Sequence, residues 1–87
     1  MRLDGARAAL AALEQAVQLD PGALEARAAL GTAYAELERF AEAIPHLEYA
    51  SPKDPALLLP LSRAYKATGR AEDAARTLEQ YKRTAQN

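Results

Sequence analysis

The 87-residue sequence contains no cysteine and a single histidine, His46. Without cysteine, the chain can form neither a disulfide framework nor a thiolate metal site. One histidine cannot anchor a zinc site of the usual kind, which draws most of its ligands from histidine and cysteine. We therefore interpret His46 as a surface residue on a helix bent by the preceding Pro45, and we predict no metal ion and no cofactor.

Signals of catalysis are scarce as well. The four glycines are scattered along the chain, so no glycine-rich loop is present to cradle a phosphate. Two pairs of acids, Glu36 with Glu38 and Glu72 with Asp73, could suggest acid–base chemistry. Both pairs flank a turn that leads into a helix, where acids complement the positive end of the helix dipole. We interpret them as structural, and the sequence predicts no catalytic residue and no enzyme.

The chain has no excess of charge of either sign and no long apolar run. Lys and Arg total 11 and Asp and Glu total 12, which gives a formal charge of −1. Nucleic-acid binding usually needs a basic face, so we expect no nucleic-acid partner. No apolar stretch approaches the roughly 20 residues of a membrane span, and no secretory signal is recognisable. We expect no membrane partner and a cytoplasmic location, although a signal or anchor removed earlier would leave no trace.

Aromatic residues make up only 6% of the chain, whereas hydrophobic residues make up 49%. The hydrophobic share is mostly alanine and leucine, which favour helices. Each buried alanine removes little apolar surface from water, so the core is thin for each residue. The composition predicts an all-α protein of one domain.

The most informative stretch is Arg27-Ala28-Ala29-Leu30-Gly31-Thr32-Ala33-Tyr34, followed by Ala43-Ile44-Pro45-His46-Leu47. It comes close to the W-x2-L-G-x2-Y…A-x3-F…P signature of a helix–turn–helix unit of about 34 residues. The matching positions are Leu30, Gly31, Tyr34, Ala43 and Leu47, with Arg27 in place of the tryptophan. The sequence therefore resembles a tetratricopeptide-repeat (TPR) protein. The resemblance implies a scaffold for binding or assembly.

The chain repeats itself at two spacings, which we call the long and the short spacing. The long spacing relates Ala9 to Ala43, Leu13 to Leu47, and Pro21 to Pro55. The short spacing relates Leu30 to Leu61, Tyr34 to Tyr65, and Ala43 to Ala74. Three residues are therefore missing from the later copy. The simplest place for the loss is Ala50–Pro52, where one turn of helix would disappear.

Apolar periodicity and proline or glycine breakers predict five helices, at about residues 1–19, 23–38, 40–51, 55–68 and 71–84. With the resemblance, they predict an all-α, right-handed superhelical stack of antiparallel helix pairs. We expect one TPR-like domain over 1–87: a half repeat at 1–20, a full repeat at 21–52, and a shortened full repeat with the C-terminal end at 53–87. An irregular helical bundle is the alternative fold. The RNA-binding pentatricopeptide relatives are disfavoured by the L-G-x2-Y residues and by the acidic pI of 5.8.

Three positions make the predicted fold specific. A glycine inside a helix costs about 1 kcal/mol relative to alanine, so we expect Gly31 to lie against the Ala43–Ala50 segment, where the resemblance implies close helix approach. Pro60 predicts a kink near Ala56–Leu59, or a helix that is regular only after Pro60. Asp54 is a plausible helix cap before the proline that follows it.

The tyrosines and the last helix complete the predicted core. We expect Tyr34 and Tyr65 to pack with a solvated hydroxyl, Tyr49 to lie on the surface, and Tyr81 to cover the end of the core. The predicted buried stripe of the last helix is Ala71, Ala74, Ala75, Leu78 and Tyr81.

In TPR proteins the first helix of each repeat lines a concave groove that binds extended peptides or partner helices. The resemblance therefore implies a set of groove residues on two helices: Glu25, Ala28, Thr32, Ala35 and Glu36, then Leu59, Arg63 and Lys66, with Ala56 and Ala67. The best-known family site is a carboxylate clamp of lysine, asparagine and arginine. Its positions here hold Ala28, Thr32, Ala29, Ala56 and Pro60, so recognition of a free C-terminal carboxylate is not implied.

The first predicted helix corresponds to the second helix of a repeat whose first helix is absent. One apolar side of it is therefore expected to be exposed, and such a face tends to find a partner. The candidate self-association residues are Leu3, Ala9, Ala12 and Ala16. The sequence thus predicts a protein–protein interaction scaffold that binds a peptide or partner helix in the groove. The alternative is a structural or oligomerisation module that forms a homo-oligomer through this helix.

Overall fold

A computed structural model of the protein describes residues 2–86, with side chains described from Gly5 onward. The elements are α1 (Arg2–Leu19), α2 (Leu24–Glu36), α3 (Phe40–Ala50), a 3₁₀ turn (Pro55–Leu57), α4 (Leu58–Ala67) and α5 (Ala71–Gln86). The five predicted helices are confirmed, and no strand occurs among these residues. Within the same residues, no helix is long and apolar enough to cross a membrane.

Each helix packs mainly on its neighbours in sequence: α1 on α2, α2 on α3, α3 on α4, and α4 on α5. This pattern is typical of a repeat array, in which each unit contacts the adjacent units. The core runs through the stack, with Leu47 at its centre and fully buried. The predicted stack of helix pairs is therefore confirmed.

At Gly31, α2 and α3 approach each other closely. A Cβ atom added to Gly31 would lie 2.9 Å from both Cγ and Cδ2 of Leu47, and 3.2 Å from the Cβ of His46. Real Cβ atoms essentially never come within 3.0 Å of another heavy atom. The prediction that Gly31 lies against the Ala43–Ala50 segment is confirmed, because a side chain would prevent this contact.

The two spacings of the sequence repeat are visible in the tyrosine contacts. The Tyr34 hydroxyl donates to Glu14 Oε2 at 2.6 Å, and the Tyr65 hydroxyl donates to Glu48 Oε2 at 2.5 Å. The long spacing relates the two glutamates, whereas the short spacing relates the two tyrosines. Helix α1 continues to Leu19 after its glutamate, whereas α3 ends two residues after Glu48. The lost turn therefore lies at the C-terminal end of α3, as predicted.

The turn after each tyrosine repeats as well. The amide of Arg39 donates to the Tyr34 carbonyl, and the amide of Arg70 donates to the Tyr65 carbonyl, both at 2.8 Å. The residue before each arginine has positive φ: 61° at Glu38 and 84° at Gly69. Glycine adopts this conformation without strain, whereas glutamate does not. The first turn is therefore strained where the second is not.

Of the two alternatives predicted for Pro60, the irregularity near Ala56–Leu59 agrees with the structure, whereas a helix that is regular only after Pro60 is wrong. The predicted Asp54 cap is also wrong. Helix α4 begins at Leu58, two residues before Pro60, and is not delayed until after it. Proline is tolerated there because the amides of the first helical turn have no partner within the helix. The irregularity precedes α4, as the 3₁₀ turn. Asp54 precedes that turn but makes no side-chain capping bond.

The buried stripe of α5 also differs from the prediction. Ala74 is buried, and Tyr81 packs against the core, which agrees with its expected role at the end of the stack. Ala71 and Ala75, however, are exposed, and Thr77 is buried instead. Within residues 2–86 no helix follows α5, so one of its sides has nothing packed on it.

Candidate functional site

A hollow in the stack runs along α2, between α1 and the 3₁₀ turn. This hollow, the α2 cleft, has a volume of about 550 Å³. It is lined by Gly5, Ala6, Ala9 and Leu13 of α1, by Glu25, Ala28, Ala29, Thr32, Ala33 and Glu36 of α2, and by Asp54 and Leu57. Most of these side chains are small, so an incoming segment could approach the backbone closely.

The charge of the α2 cleft is uniformly acidic. Glu25, Glu36 and Asp54 are all exposed at its lining. The ion pairs among the described residues join Arg39 to Glu42, and Arg70 and Arg76 to Asp73, so none of them neutralises the cleft. The hydroxyl of Thr32 donates to the Ala28 carbonyl at 2.9 Å and is used within the helix.

Two further hollows follow along the stack, of which only the first shares lining residues with the α2 cleft. The α2–α4 groove, of about 440 Å³, is lined by Thr32, Ala35, Glu36, Glu38, Phe40, Pro60 and Arg63. The α4–α5 depression, of about 460 Å³, is lined by Leu59, Ser62, Arg63, Lys66, Ala71, Ala74, Ala75 and Leu78. Arg63 borders both of these hollows. Basic side chains, Arg63 and Lys66, line these two hollows, whereas none lines the α2 cleft.

The structure distributes the predicted groove residues over all three hollows. Four of them, Glu25, Ala28, Thr32 and Glu36, line the α2 cleft. Ala35 lines the α2–α4 groove, while Leu59, Arg63 and Lys66 line the α4–α5 depression. The acidic and basic positions predicted for one groove therefore lie mainly on different hollows.

The self-association candidates lie on α1. Ala9 and Ala12 are exposed, and Ala16 is half-buried. The side chain of Leu3 lies outside those that the structure describes. Ala9 also lines the α2 cleft together with the groove candidates Glu25 and Ala28. The two sites predicted separately from the sequence therefore share Ala9 in this cleft, whereas Ala12 and Ala16 do not line it.

Arg27, at the signature's tryptophan position, joins the start of α2 to α3. Its Nε donates to His46 Nδ1 at 3.0 Å and its Nη1 to the Pro21 carbonyl at 2.9 Å. Its guanidinium lies 4.2 Å from the ring centroid of Tyr49, within cation–π range. Tyr49 is 42% exposed, as predicted. The tryptophan's packing role is thus filled by a polar cluster that links the two helices.

His46 is held more tightly than a surface histidine. Its ring is half-buried and stacks on the Tyr34 ring at a centroid distance of 5.8 Å. Accepting a bond from Arg27 requires an unprotonated Nδ1, which places the proton on Nε2. Burial, and secondarily the charge of Arg27, lower the pKa of His46. The interpretation as a plain surface histidine is wrong, because the bonding partner lies 19 residues away on another helix.

The tyrosine hydroxyls also differ from the prediction. Tyr34 and Tyr65 are buried as expected, but their hydroxyls are bonded to Glu14 and Glu48 and are not left to solvent. Burial, together with the hydrogen bond to glutamate, raises the pKa of each tyrosine to about 12. The first of these contacts joins α2 to α1, and the second joins α4 to α3.

An arginine contacts each of these two tyrosine rings, so that tyrosine, glutamate and arginine form a unit that occurs twice. The guanidinium of Arg39 lies 4.9 Å from the Tyr34 ring centroid, and that of Arg70 lies 4.4 Å from the Tyr65 ring centroid. Arg39 also binds Glu42 through two bonds of 2.7 Å. A hydrogen bond from Arg39 is the main cause that lowers the pKa of Glu42. Sequence reasoning missed this unit, although the short spacing relates the two arginines as well and was available as a signal.

Comparison with known proteins agrees with this geometry. A family model for the tetratricopeptide repeat matches the chain twice, over residues 6–48 and 35–87. Searches of curated proteins and of solved structures gave no match. Tetratricopeptide repeats are non-enzymatic modules that mediate protein–protein interaction and bind proteins or peptides. With two matches that together span most of its length, the chain belongs to the tetratricopeptide-repeat family.

Proposed function

We propose that this chain is an interaction module whose α2 cleft binds a peptide or helix that carries basic residues. The observation that carries the proposal is the combination of a small-residue lining with three carboxylates that have no ion pair among the described residues. A basic partner segment would supply the missing charge, while the alanines leave room for its side chains.

The size and shape of the cleft support a segment and not a small molecule. A volume of about 550 Å³ lies within the range of ligand pockets, about 300–1,000 Å³. The cleft is nevertheless open along α2 and lined by three elements, so it matches several side chains of one extended or helical segment. Complementary charge at such a rim raises the association rate and the specificity more than the affinity.

The proposal can be tested with a displayed library of random 15-residue peptides selected on the full chain. We expect basic peptides to be enriched, and to lose binding when Glu25→Lys and Glu36→Lys are combined. Glu72→Lys, an exposed acid at the start of α5, is the matched control and should leave binding unchanged. The reversal Arg63→Glu with Lys66→Glu tests the predicted basic positions of the groove. Selected peptides that bind the Glu25→Lys, Glu36→Lys variant as well as the wild type would refute this site.

A second function, self-association through α1, is favoured by one observation. Ala9 is exposed, whereas Ala43, its equivalent on α3, has 0% exposure. Leu19 at the end of α1 is 81% exposed. A second copy that packed on α1 would cover this face. In sedimentation velocity, wild-type chain should associate with rising concentration, and Ala9→Arg with Ala12→Arg should not. A monomer at every concentration would contradict this function.

We further propose that residues 1–87 form one TPR-like domain, built from a half repeat (1–20), a full repeat (21–52) and a shortened repeat (53–87). The continuous packing of neighbouring helices supports one unit. A single urea transition seen by both circular dichroism and tyrosine fluorescence is expected, since probes coincide when a domain unfolds cooperatively.

A further inference from the structure

We propose that the α4–α5 depression is a second docking site, which receives an amphipathic helix from another protein chain and binds its tyrosine hydroxyl through Glu79. The site lies on a different face from the α2 cleft and goes beyond the function proposed for that cleft. The kind of helix follows from the repeat of the chain itself.

The short spacing identifies what covers the equivalent face one unit earlier. Residues of α5 correspond to residues of α3 at this spacing: Ala74 to Ala43, Ala75 to Ile44, and Leu78 to Leu47. Helix α3 is followed by α4, which packs on it. The same relation applied once more places an α4-like helix on α5. Within the described residues this position is empty and forms the depression.

The exposure of the equivalent residues agrees with one missing helix. Ile44 and Leu47 are buried, the latter completely. Their counterparts differ, because Ala75 is exposed and Leu78 is only half-buried. A helix follows α3, whereas none follows α5 among the described residues. The greater exposure of Ala75 and Leu78 therefore marks the side of α5 on which a further helix would pack. Docking there removes apolar surface from water, which favours association.

Glu79 adds a polar anchor at the correct position. The short spacing relates it to Glu48, and Glu48 accepts the hydroxyl of Tyr65 from the following helix. Glu14 accepts the hydroxyl of Tyr34 in the same way. Glu79 is exposed and makes no side-chain hydrogen bond among those of the described residues. A docked helix of the same type would bring a tyrosine hydroxyl to this carboxylate, and a hydrogen bond to a charged acceptor is among the stronger ones.

Sequence and charge define the partner helix further. The two helices that already fill this role share the pattern Leu-x-x-Ala-Tyr, at Leu30–Tyr34 and at Leu61–Tyr65. Arg63 and Lys66 border the depression and are exposed, without an ion pair among the described residues. The partner helix should therefore combine Leu-x-x-Ala-Tyr with carboxylates. The stretch at residues 20–39 of this chain has both features, because it contains Tyr34 and three glutamates in addition to Asp20.

A labelled synthetic peptide with the sequence of residues 20–39 is thus a defined probe. We expect saturable binding to the full chain in fluorescence anisotropy. The Tyr34→Phe peptide should bind about tenfold more weakly, because it lacks the hydroxyl. Glu79→Gln in the protein keeps an acceptor but loses its charge. It should therefore weaken the binding of the tyrosine peptide and reduce the difference in affinity between the two peptides. Glu72→Gln, on the same helix but away from the depression, is the matched control and should change nothing.

Two blocking variants decide where the peptide binds. Ala75→Arg fills the depression at an exposed position and should abolish binding, whereas Ala9→Arg in the α2 cleft should not. Circular dichroism establishes that both variants stay folded. The proposal is overturned by the absence of saturable binding, by equal affinity for the tyrosine and phenylalanine peptides, or by loss of binding in Ala9→Arg but not in Ala75→Arg.

Discussion

Replacing Gly31 by alanine should destabilise this protein, although the same replacement stabilises most helices. Gly31 lies within α2, where alanine has the higher helix propensity by about 1 kcal/mol. The added Cβ would, however, lie 2.9 Å from Cγ and Cδ2 of Leu47. Leu47 is completely buried and cannot move toward solvent. Local preference and tertiary packing therefore act in opposite directions at this position.

The balance of these two effects gives the magnitude. Inserting a methyl group into a well-packed core costs about 1–3 kcal/mol. Two of the atoms met by the new Cβ belong to one buried side chain, and the third is the Cβ of His46 at 3.2 Å. The penalty should therefore lie in the upper part of that range. After subtraction of the helix-propensity gain, Gly31→Ala is expected to lower the free energy of unfolding by about 1–2 kcal/mol.

A double-mutant cycle with Leu47→Ala isolates the contact, because that change removes both clashing atoms. The single change Leu47→Ala should itself cost about 2–5 kcal/mol. In the Leu47→Ala background, Gly31→Ala should stabilise by up to about 1 kcal/mol. The coupling between the two positions should therefore be about 1–3 kcal/mol. Urea unfolding followed by circular dichroism gives all four free energies of unfolding.

Gly5→Ala is the matched control for this cycle. Gly5 lies in α1, and a Cβ added there meets nothing within 4 Å. This change should stabilise the protein by about 0.5–1 kcal/mol through helix propensity alone. If Gly31→Ala stabilised the protein to the same extent in both backgrounds, α2 and α3 would not be nested at Gly31, and the reasoning from close approach would fail.

Three smaller changes test the turns and the titrating groups. Glu38→Gly should raise the free energy of unfolding by about 0.5–1 kcal/mol, because positive φ penalises glutamate more than the flexibility of glycine costs; a thermal melt with no gain would contradict this. Burial lowers the pKa of His46, so the free energy of unfolding should fall as the pH drops below about 6.5. In urea unfolding at low pH, the free energy of His46→Phe should fall less, because phenylalanine cannot become charged beside Arg27. The pKa values of Tyr34 and Tyr65 are raised to about 12. The stability that these protonated hydroxyls contribute should therefore be complete below about pH 10 and lost as the pH rises toward 12. Variants with phenylalanine at either position should lose less stability at alkaline pH than the wild type, and an equal loss would contradict the raised pKa values.

The repeat architecture could be predicted because it depends on residues a constant distance apart in the chain. The L-G pair at Leu30 and Gly31, together with the long and short spacings, indicated the helix pairs and the position of the lost turn. The effect of Pro60 was harder to predict, because a proline within the first helical turn and one in the middle of a helix look alike until the helix start is known. A helix start depends on packing and is poorly defined by sequence.

The candidate site was only partly predictable, for a different physical reason. Its residues were identified by register, but the contacts that set their chemistry join separate helices. His46 has its partner in Arg27 on α2, and Tyr34 has its partner in Glu14 on α1. No local pattern predicts such pairs, because each needs the relative placement of two helices. The separation of acidic and basic hollows was missed for the same reason.

Under the binding sites proposed above, the surfaces open to a partner depend on how many helices are stacked. Inside the stack, each apolar face is covered by the next helix, as Leu47 shows, and each tyrosine hydroxyl is taken by the preceding helix. On α1, Ala9 and Ala12 remain exposed, and on α5, Ala75 is exposed and Leu78 is half-buried. Because one hollow is acidic and the other basic, segments of opposite charge would be selected at the two faces. A helix added at either place would remove that site, so the number of stacked helices decides which residues remain available to a partner.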